Sequence, residues 1–318
     1  MDIEYLLFLQ NFRNNINDGL TPFMEWVSMF ATTYLILFPI FYYWYASKKG
    51  GLYTLVSYYF CMLTTPLLKL TFCVYRPWIR DIRVVPAGDS IRTATGYSFP
   101  SGHTTTAGPL AGGMAVNFWK QKKTRWLSVI FVLFILLTAF SRNYLGVHTP
   151  QDVIVALLLS VLGLIVTAKL FAWLKENPDK ENALLLGVFI ICCLAIVYIT
   201  FKPYPMDYDP EGALIVDPKV MMNDGYGDIG KVIGFIIARF VEKTWIRFKP
   251  LKKGWKSFII CLLGLIPVVL LKQYLSPALK ASLGGNWGKL TFSVIYTFYY
   301  IALFPLILKL IGKSKIAD

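Results

Sequence analysis

Tyr97-Ser-Phe-Pro-Ser-Gly-His-Thr104 stands immediately ahead of a long apolar run, and its reading decides the fold. Its middle, Pro100-Ser101-Gly102-His103, puts a serine and a glycine where a helix would open. The first N–H groups of a helix have no intrahelical partners, and the helix dipole adds partial positive charge there. Such a start suits an anion, phosphate above all. Alone, the four residues are a weak signal, and the better reading of them is an ordinary N-cap, a turn glycine and a surface histidine. Their company carries the argument. Lys69, Arg76 and Pro77 lie upstream, and Ser141-Arg142-Asn-Tyr-Leu-Gly-Val-His148-Thr-Pro-Gln-Asp152 lies downstream. The chain has only two histidines, His103 and His148, and both fall in these blocks.

Composition sets the environment. The 318 residues are 56% hydrophobic and 16% aromatic, with only 16% charged, which excludes an average soluble domain and points to a polytopic membrane protein. The net charge of +14 does not argue for nucleic acid, because the cations sit in short clusters between apolar runs, as in cytoplasmic loops. The five cysteines, Cys61, Cys73, Cys192, Cys193 and Cys261, lie in or beside apolar segments without metal-ligand spacing, so they read as packing residues.

In chain order, residues 1–20 predict an interfacial amphipathic helix. Asp2 and Glu4 stand where a cleaved signal peptide would carry basic residues, so none is expected. Apolar runs then predict about nine transmembrane helices: 24–45, 52–74, 102–119, 126–140, 150–174, 183–201, 229–241, 255–274 and 290–311. Lys69 and Arg76, seven apart, are expected on nearly one helical face, with Pro77 turning the chain into the loop that follows. Thr149, Pro150 and Asp152 fit the N-cap, first and third positions of a helix, a capping-box pattern. Residues 202–228 carry six acidic residues and no EF-hand spacing, and read as a solvated polar loop. Residues 229–318 form a three-helix extension. Alternating nine spans puts Lys48/Lys49, the 120–125 run, Lys175/Lys180, the 243–256 cluster and Lys313/Lys315 on one side. By the positive-inside rule that side is cytoplasmic, which leaves the three motifs and the N-terminus outside.

The three blocks resemble the signature of the type 2 phosphatidic acid phosphatase superfamily, which also holds glucose-6-phosphatases, lipid phosphate phosphatases and vanadium haloperoxidases. All its signature positions are filled, by Lys69, Arg76, Pro77, Ser101, Gly102, His103, Arg142, His148 and Asp152, within roughly residues 20 to 175. The resemblance implies an all-α membrane bundle with a six-helix core over residues 21–201. It also implies a phosphohistidine on His148, oriented by Asp152, with His103 protonating the leaving oxygen and then activating water.

The chemistry is coherent with those residue types. A phosphatase without metal must neutralise phosphate oxygens with fixed cations and N–H donors, here Lys69, Arg76, Arg142, Ser101 and the N–H groups around Gly102. Pro77 and Pro100 shape the backbone beside them. The residues alone leave open which histidine attacks, although the carboxylate four positions on favours His148. No cofactor is expected, and no His/Cys/carboxylate spacing offers a metal site. The expected partners are the bilayer and an amphiphilic phosphorylated lipid such as undecaprenyl diphosphate or a phosphatidate-type glycerolipid, in a bacterial cytoplasmic membrane. Oligomeric state is not legible. A phosphotransferase, or a lipid-phosphate binding or transport protein without activity, would carry many of the same residues.

Overall fold

In the computed structural model the described residues, 2–314, form an all-α protein. Lys315 therefore lies outside the described residues. The helices are α1 (Asp2–Asn15), α2 (Thr21–Thr33), α3 (Leu37–Tyr45), α4 (Lys48–Phe72), the one-turn α5 (Pro77–Arg80) and α6 (Ser90–Thr93), α7 (Gly102–Trp119), α8 (Arg125–Tyr144), α9 (Pro150–Glu176) and α10 (Glu181–Phe201). The C-terminal part holds α11 (Pro218–Val241), α12 (Trp255–Leu263), α13 (Leu265–Leu270), α14 (Ser276–Leu283), α15 (Gly285–Phe298) and α16 (Phe304–Ser314).

The expectation of about nine transmembrane helices is overturned. Among the described residues six helical stretches are long and apolar enough to cross a membrane: Lys48–Arg80, Lys122–Tyr144, Pro150–Glu176, Pro178–Phe201, Trp255–Leu283 and Gly285–Gly312. A seventh counts only if α2 and α3, bent by 43° at their junction, make one span. The two other predicted spans are helices of a different character. Gly102–Trp119 carries His103, Pro109 and Asn117 among glycines and threonines, and most of it is buried between α4, α8 and α9. Asn117 is satisfied by a protein neighbour rather than left to lipid: its Nδ2 donates to Gly50 O at 2.9 Å and to the Thr54 hydroxyl at 3.1 Å. Pro218–Val241 carries Asp224, Asp228, Lys231 and Arg239, and starts well before the short apolar core visible at 229–241. With the count gone, an orientation argued from nine alternating crossings goes with it.

The apolar helices show what faces lipid. Val129, Leu133 and Leu136 on α8, Leu158, Val161 and Ile165 on α9, and Leu186, Ile190 and Leu194 on α10 are all exposed. Rows of this kind far exceed what a water-soluble surface tolerates. The protein is an integral membrane protein.

The C-terminal helices pack on the rest through α11, whose main neighbours are α15, α4 and α10. The approach to α15 is close enough to need glycine: a Cβ at Gly230 would lie 2.8 Å from the Leu290 carbonyl oxygen, and one at Gly234 2.8 Å from that of Val294. At the end of α11 a buried carboxylate, Glu242, pairs with Lys48 of α4 and with Arg239 at 2.6 Å, and Arg239 also holds Glu181 of α10 at 2.8 Å. This network locks three helices together at the end where α4 begins.

Candidate active site

The site is assembled at the opposite end of α4. That helix stops at Phe72, where Cys73 takes a left-handed conformation with φ 48°. Arg76 is therefore not two turns further along the same helix, as the sequence suggested. It lies in extended backbone, φ −65° and ψ 153°, with Pro77 opening α5. Lys69 and Arg76 still converge, because the chain turns between them. Both are buried, Lys69 at 5% and Arg76 at 4% exposure.

Lys69 uses all three of its N–H donors on backbone. Its Nζ donates to the carbonyls of Tyr97 at 3.0 Å, Ser98 at 3.0 Å and Pro100 at 2.8 Å. The lysine thereby holds the loop that delivers Ser101 and Gly102 to the start of α7. Arg76 does the same for the preceding turn and reaches further. Nε donates to Gly96 O at 3.1 Å, Nη2 to Thr95 O at 3.0 Å, and Nη1 to Val147 O and to His148 Nε2, both at 2.9 Å.

Ser101 is the N-cap residue of α7 and is fully buried. Its backbone N–H donates to Asp152 O at 3.1 Å, and its Oγ accepts from the Thr104 hydroxyl at 3.0 Å. A Cβ added at Gly102 would meet nothing within 4 Å, so the helix start borders open space. His103 and Gly102 both line that space.

The last turn of α8 carries Arg142, 1% exposed, whose Nη1 donates to the Ser28 hydroxyl at 2.5 Å. Its Nε and Nη2 are buried without a hydrogen-bond partner. Unpaired buried donors of this kind are rare in folded proteins. The chain then turns through Gly146, at φ +72°, into His148 and the N-terminus of α9. Thr149 is the N-cap, Pro150 occupies the first turn, and Asp152 completes the capping box the sequence predicted.

Asp152 Oδ2 accepts from the Thr149 N–H at 2.8 Å and from the Ser98 hydroxyl at 2.6 Å, and faces His148 Nδ1 at 3.4 Å. Since Arg76 donates to Nε2, the neutral imidazole carries its proton on Nδ1, toward Asp152. His148 lies in the loop between α8 and α9. Burial first, and the Arg76 guanidinium second, push its pKa well below the usual imidazole value, with Asp152 pulling the other way.

Lys69, Arg76, Gly102, His103 and His148 line one cavity of about 330 Å³, so five of the eight catalytic or phosphate-binding candidates share a surface. Asp152, Ser101 and Arg142 stand behind it. Several residues of this site were not picked out from sequence. Ser98 holds Asp152, Asn143 Nδ2 donates to His148 O at 2.8 Å, and Ser28 meets Arg142 across the bundle. Nothing in their local sequence sets them apart, except that Ser98 and Asn143 fall inside the motif blocks. Asp224, Asp228, Lys231 and Lys289 line the same cavity, so the first two, which the sequence places in a solvated polar loop, are instead residues of α11 beside the site. Among the described residues no group of three His, Cys, Asp or Glu side chains is arranged to hold a metal ion.

A model of the PAP2 superfamily matches residues 50–176, the segment that holds every motif residue above. Undecaprenyl-diphosphatase BcrC of Bacillus subtilis is 30% identical over 149 residues, 47% of this chain and 72% of that protein. The chain belongs to the PAP2 superfamily. Other PAP2 relatives are the lipid A 4'-phosphatase of Bacteroides thetaiotaomicron, 26% identical over 182 residues (51% of this chain, 73% of that one), and phosphatidylglycerophosphatase B of Haemophilus influenzae, 41% identical over 87 residues (26% and 35%). No solved structure matches this PAP2 chain at a significant level.

Proposed function

We propose that the protein is a membrane phosphatase that removes a phosphoryl group from a lipid phosphate or diphosphate through a phosphohistidine on His148, without a metal. The observation that carries this is the His148 imidazole itself. Asp152 holds one ring nitrogen, and the other bears a lone pair beside a buried arginine in a polar cavity. The names of the relatives, all phosphatases of bacterial lipids, support the same reading.

In the forward step Nε2 attacks phosphorus and the bond to the leaving oxygen breaks. His103, on the cavity surface, enters as the imidazolium, because the negative charge of the bound phosphoryl group offsets the burial and the neighbouring cations that otherwise hold its pKa well below the usual value. It supplies the proton that oxygen needs and is left neutral. Arg76, released from Nε2, turns its Nη1 donor to a phosphoryl oxygen, and the N–H groups at Gly102 offer neutral donors. Arg142, with two open donors behind the cavity, adds positive charge to the same region. Water then attacks phosphorus, His103 takes its proton, and the N–P bond breaks to return neutral His148 and inorganic phosphate. Asp152 stabilises the imidazolium character that develops in both steps. Lys69 acts through the loop whose carbonyls it gathers, and through its charge.

The site is proposed to face away from the cytoplasm. Lys69 is some twenty residues, or about 30 Å, along α4 from Lys48 and Lys49. At that far end Lys49, Lys120, Lys175 and Lys253 line another cavity, of about 760 Å³. A basic rim at one end and the cavity at the other fit a cytoplasmic rim and an outward site.

The test is phosphate release by the purified protein in EDTA from undecaprenyl diphosphate, phosphatidate, phosphatidylglycerophosphate, sphingosine phosphate and glucose 6-phosphate. Release from at least one lipid without an added acceptor, abolished by His148→Ala, is expected. Release that survives His148→Ala, or requires an alcohol acceptor, would overturn the proposed hydrolysis.

A further inference from the structure

The cavity has a second polar lining, and its charged residues come from beyond the family-matched segment 50–176. Asp224, Asp228 and Lys231 are four and three residues apart on α11, so they share one helical face. Lys231 Nζ donates to Asp228 Oδ1 at 2.7 Å, and Lys289 of α15 pairs with Asp224. The geometry of α11 is suited to this: a Cβ at Gly227 would lie 3.0 Å from Lys289 Cγ, so the glycine lets the lysine stem cross the helix toward Asp224. The lining is continuous with the reactive centre. Arg76, which donates to His148, also donates to Thr95 O, and the Thr95 hydroxyl reaches Asp224 Oδ2 at 3.5 Å.

Two carboxylates balance two ammoniums here, in contrast to the Lys69 and Arg76 side, where positive charge dominates. A second phosphoryl group placed on this lining would meet two carboxylates and two lysines that are already neutralised, with no net attraction to hold it. Hydroxyl groups fit it better, because each donates to a carboxylate and accepts from an ammonium without separating the pair. At about 30 Å³ per water-sized group, the cavity of about 330 Å³ has room for a phosphoryl group and a hydroxylated unit beside it.

We propose that Asp224, Asp228, Lys231 and Lys289 read the non-phosphate part of the headgroup, and that the phosphoryl group is carried on a polyhydroxylated unit, a sugar or a glycerol, rather than on a bare alkyl or prenyl chain or as the outer half of a diphosphate. This rests on the phosphatase reading for its reaction, though not for its binding.

The experiment separates the two. Binding of uncleavable phosphonates to the full-length protein in detergent is measured by calorimetry, with a glycolipid phosphonate, a glycerol-lipid phosphonate, dodecyl phosphonate and a prenyl methylene-diphosphonate as probes. At least one hydroxylated probe binds about tenfold or more tighter than the last two, as hydrogen bonds to charged partners predict, and the tighter of the sugar and glycerol arms names the source. Asp224→Asn, Lys289→Gln and, on the other pair, Asp228→Asn each narrow that gap, in variants whose gel-filtration profile matches the parent. A dodecyl or diphosphonate probe that binds as tightly as both hydroxylated ones, or a gap that survives all three substitutions, overturns the proposal. Phosphate release from the cleavable counterparts runs alongside. A gap without release sinks the phosphatase reading and leaves the headgroup reading standing, and release without a gap does the reverse.

Discussion

Arg76 Nη1 lies 2.9 Å from His148 Nε2, and the same guanidinium donates to the carbonyls of Thr95, Gly96 and Val147. One buried side chain thus fixes the turn before the 97–104 loop, the backbone ahead of His148 and the imidazole itself. Its planar fork makes this possible, and a lysine cannot reproduce it. Arg76→Lys keeps the charge but loses most of those bonds. The expected outcome is a fall in kcat/KM of about 100-fold or more, together with a lower Tm, read by phosphate release and thermal melts. An Arg76→Lys enzyme within a few fold of the parent would show that charge alone is required.

The depressed pKa of His148 gives the pH dependence a definite sign. A neutral nucleophile held below the usual 6.5 stays active as pH falls through 6.5, and the rate declines only as pH drops through the lower folded-state value. The stability linked to this group follows the same direction: it is fully present above the unfolded pKa and is lost as pH falls below it. A kcat/KM profile whose acid limb sits at or above 6.5, and is abolished with His148, would contradict a depressed nucleophile.

Ser98 is a positioning residue for Asp152. Ser98→Ala leaves the carboxylate its Thr149 N–H bond and removes a 2.6 Å hydroxyl donor. About a tenfold loss in kcat is expected, with little change in KM, since the lost bond orients the imidazole rather than the substrate. Ser98→Thr restores the hydroxyl and part of the rate. A change confined to KM would remove Ser98 from this role.

Far from the cavity, Glu242 holds Lys48 and Arg239 and accepts the Phe248 N–H at 3.2 Å. Glu242→Ala takes from the partly buried Lys48 ammonium the only carboxylate it pairs with among the described residues and leaves Arg239 to Glu181, and is expected to destabilise by about 3–5 kcal/mol. Thermal unfolding in detergent reads this as a clear drop in Tm, with phosphate release per folded molecule near that of the parent at low temperature. An unchanged Tm would mean the network adds nothing to the packing of α4, α10 and α11.

Ile82, 92% exposed in the loop that follows Arg76, reports which side the cavity faces. Ile82→Cys, in a chain whose native cysteines are replaced, is expected to react with a membrane-impermeant maleimide added to intact cells. Labelling only after the membrane is broken would place the cavity on the cytoplasmic side.

Much of the site could be read from the linear chain because its parts are local. The capping box of Thr149 and Asp152 is set by four consecutive residues, and the opening of α7 at Gly102 by the Ser-Gly pair. Short-range hydrogen bonds need no knowledge of the fold. Counting membrane crossings needs that knowledge. An apolar run does not show where its helix starts and stops: the run at 229–241 belongs to α11, which begins at Pro218 and carries Asp224 and Asp228 before it, and the run after Gly102 is a helix rich in glycine and threonine that packs between α4, α8 and α9.

By itself, then, the sequence determined that this is a helical membrane protein, which blocks mark its family, and that Asp152 caps the helix behind His148. Only the tertiary structure decided that Lys69 gathers three carbonyls rather than standing free, that Arg76 leaves the helix of Lys69 yet reaches His148, and that Asp224 and Lys289 share their cavity. The physical reason is range. Helix starts and caps are written in neighbouring residues, whereas the burial of a charge and the choice of its partner depend on which distant helices the close packing of Gly230 and Gly234 brings alongside.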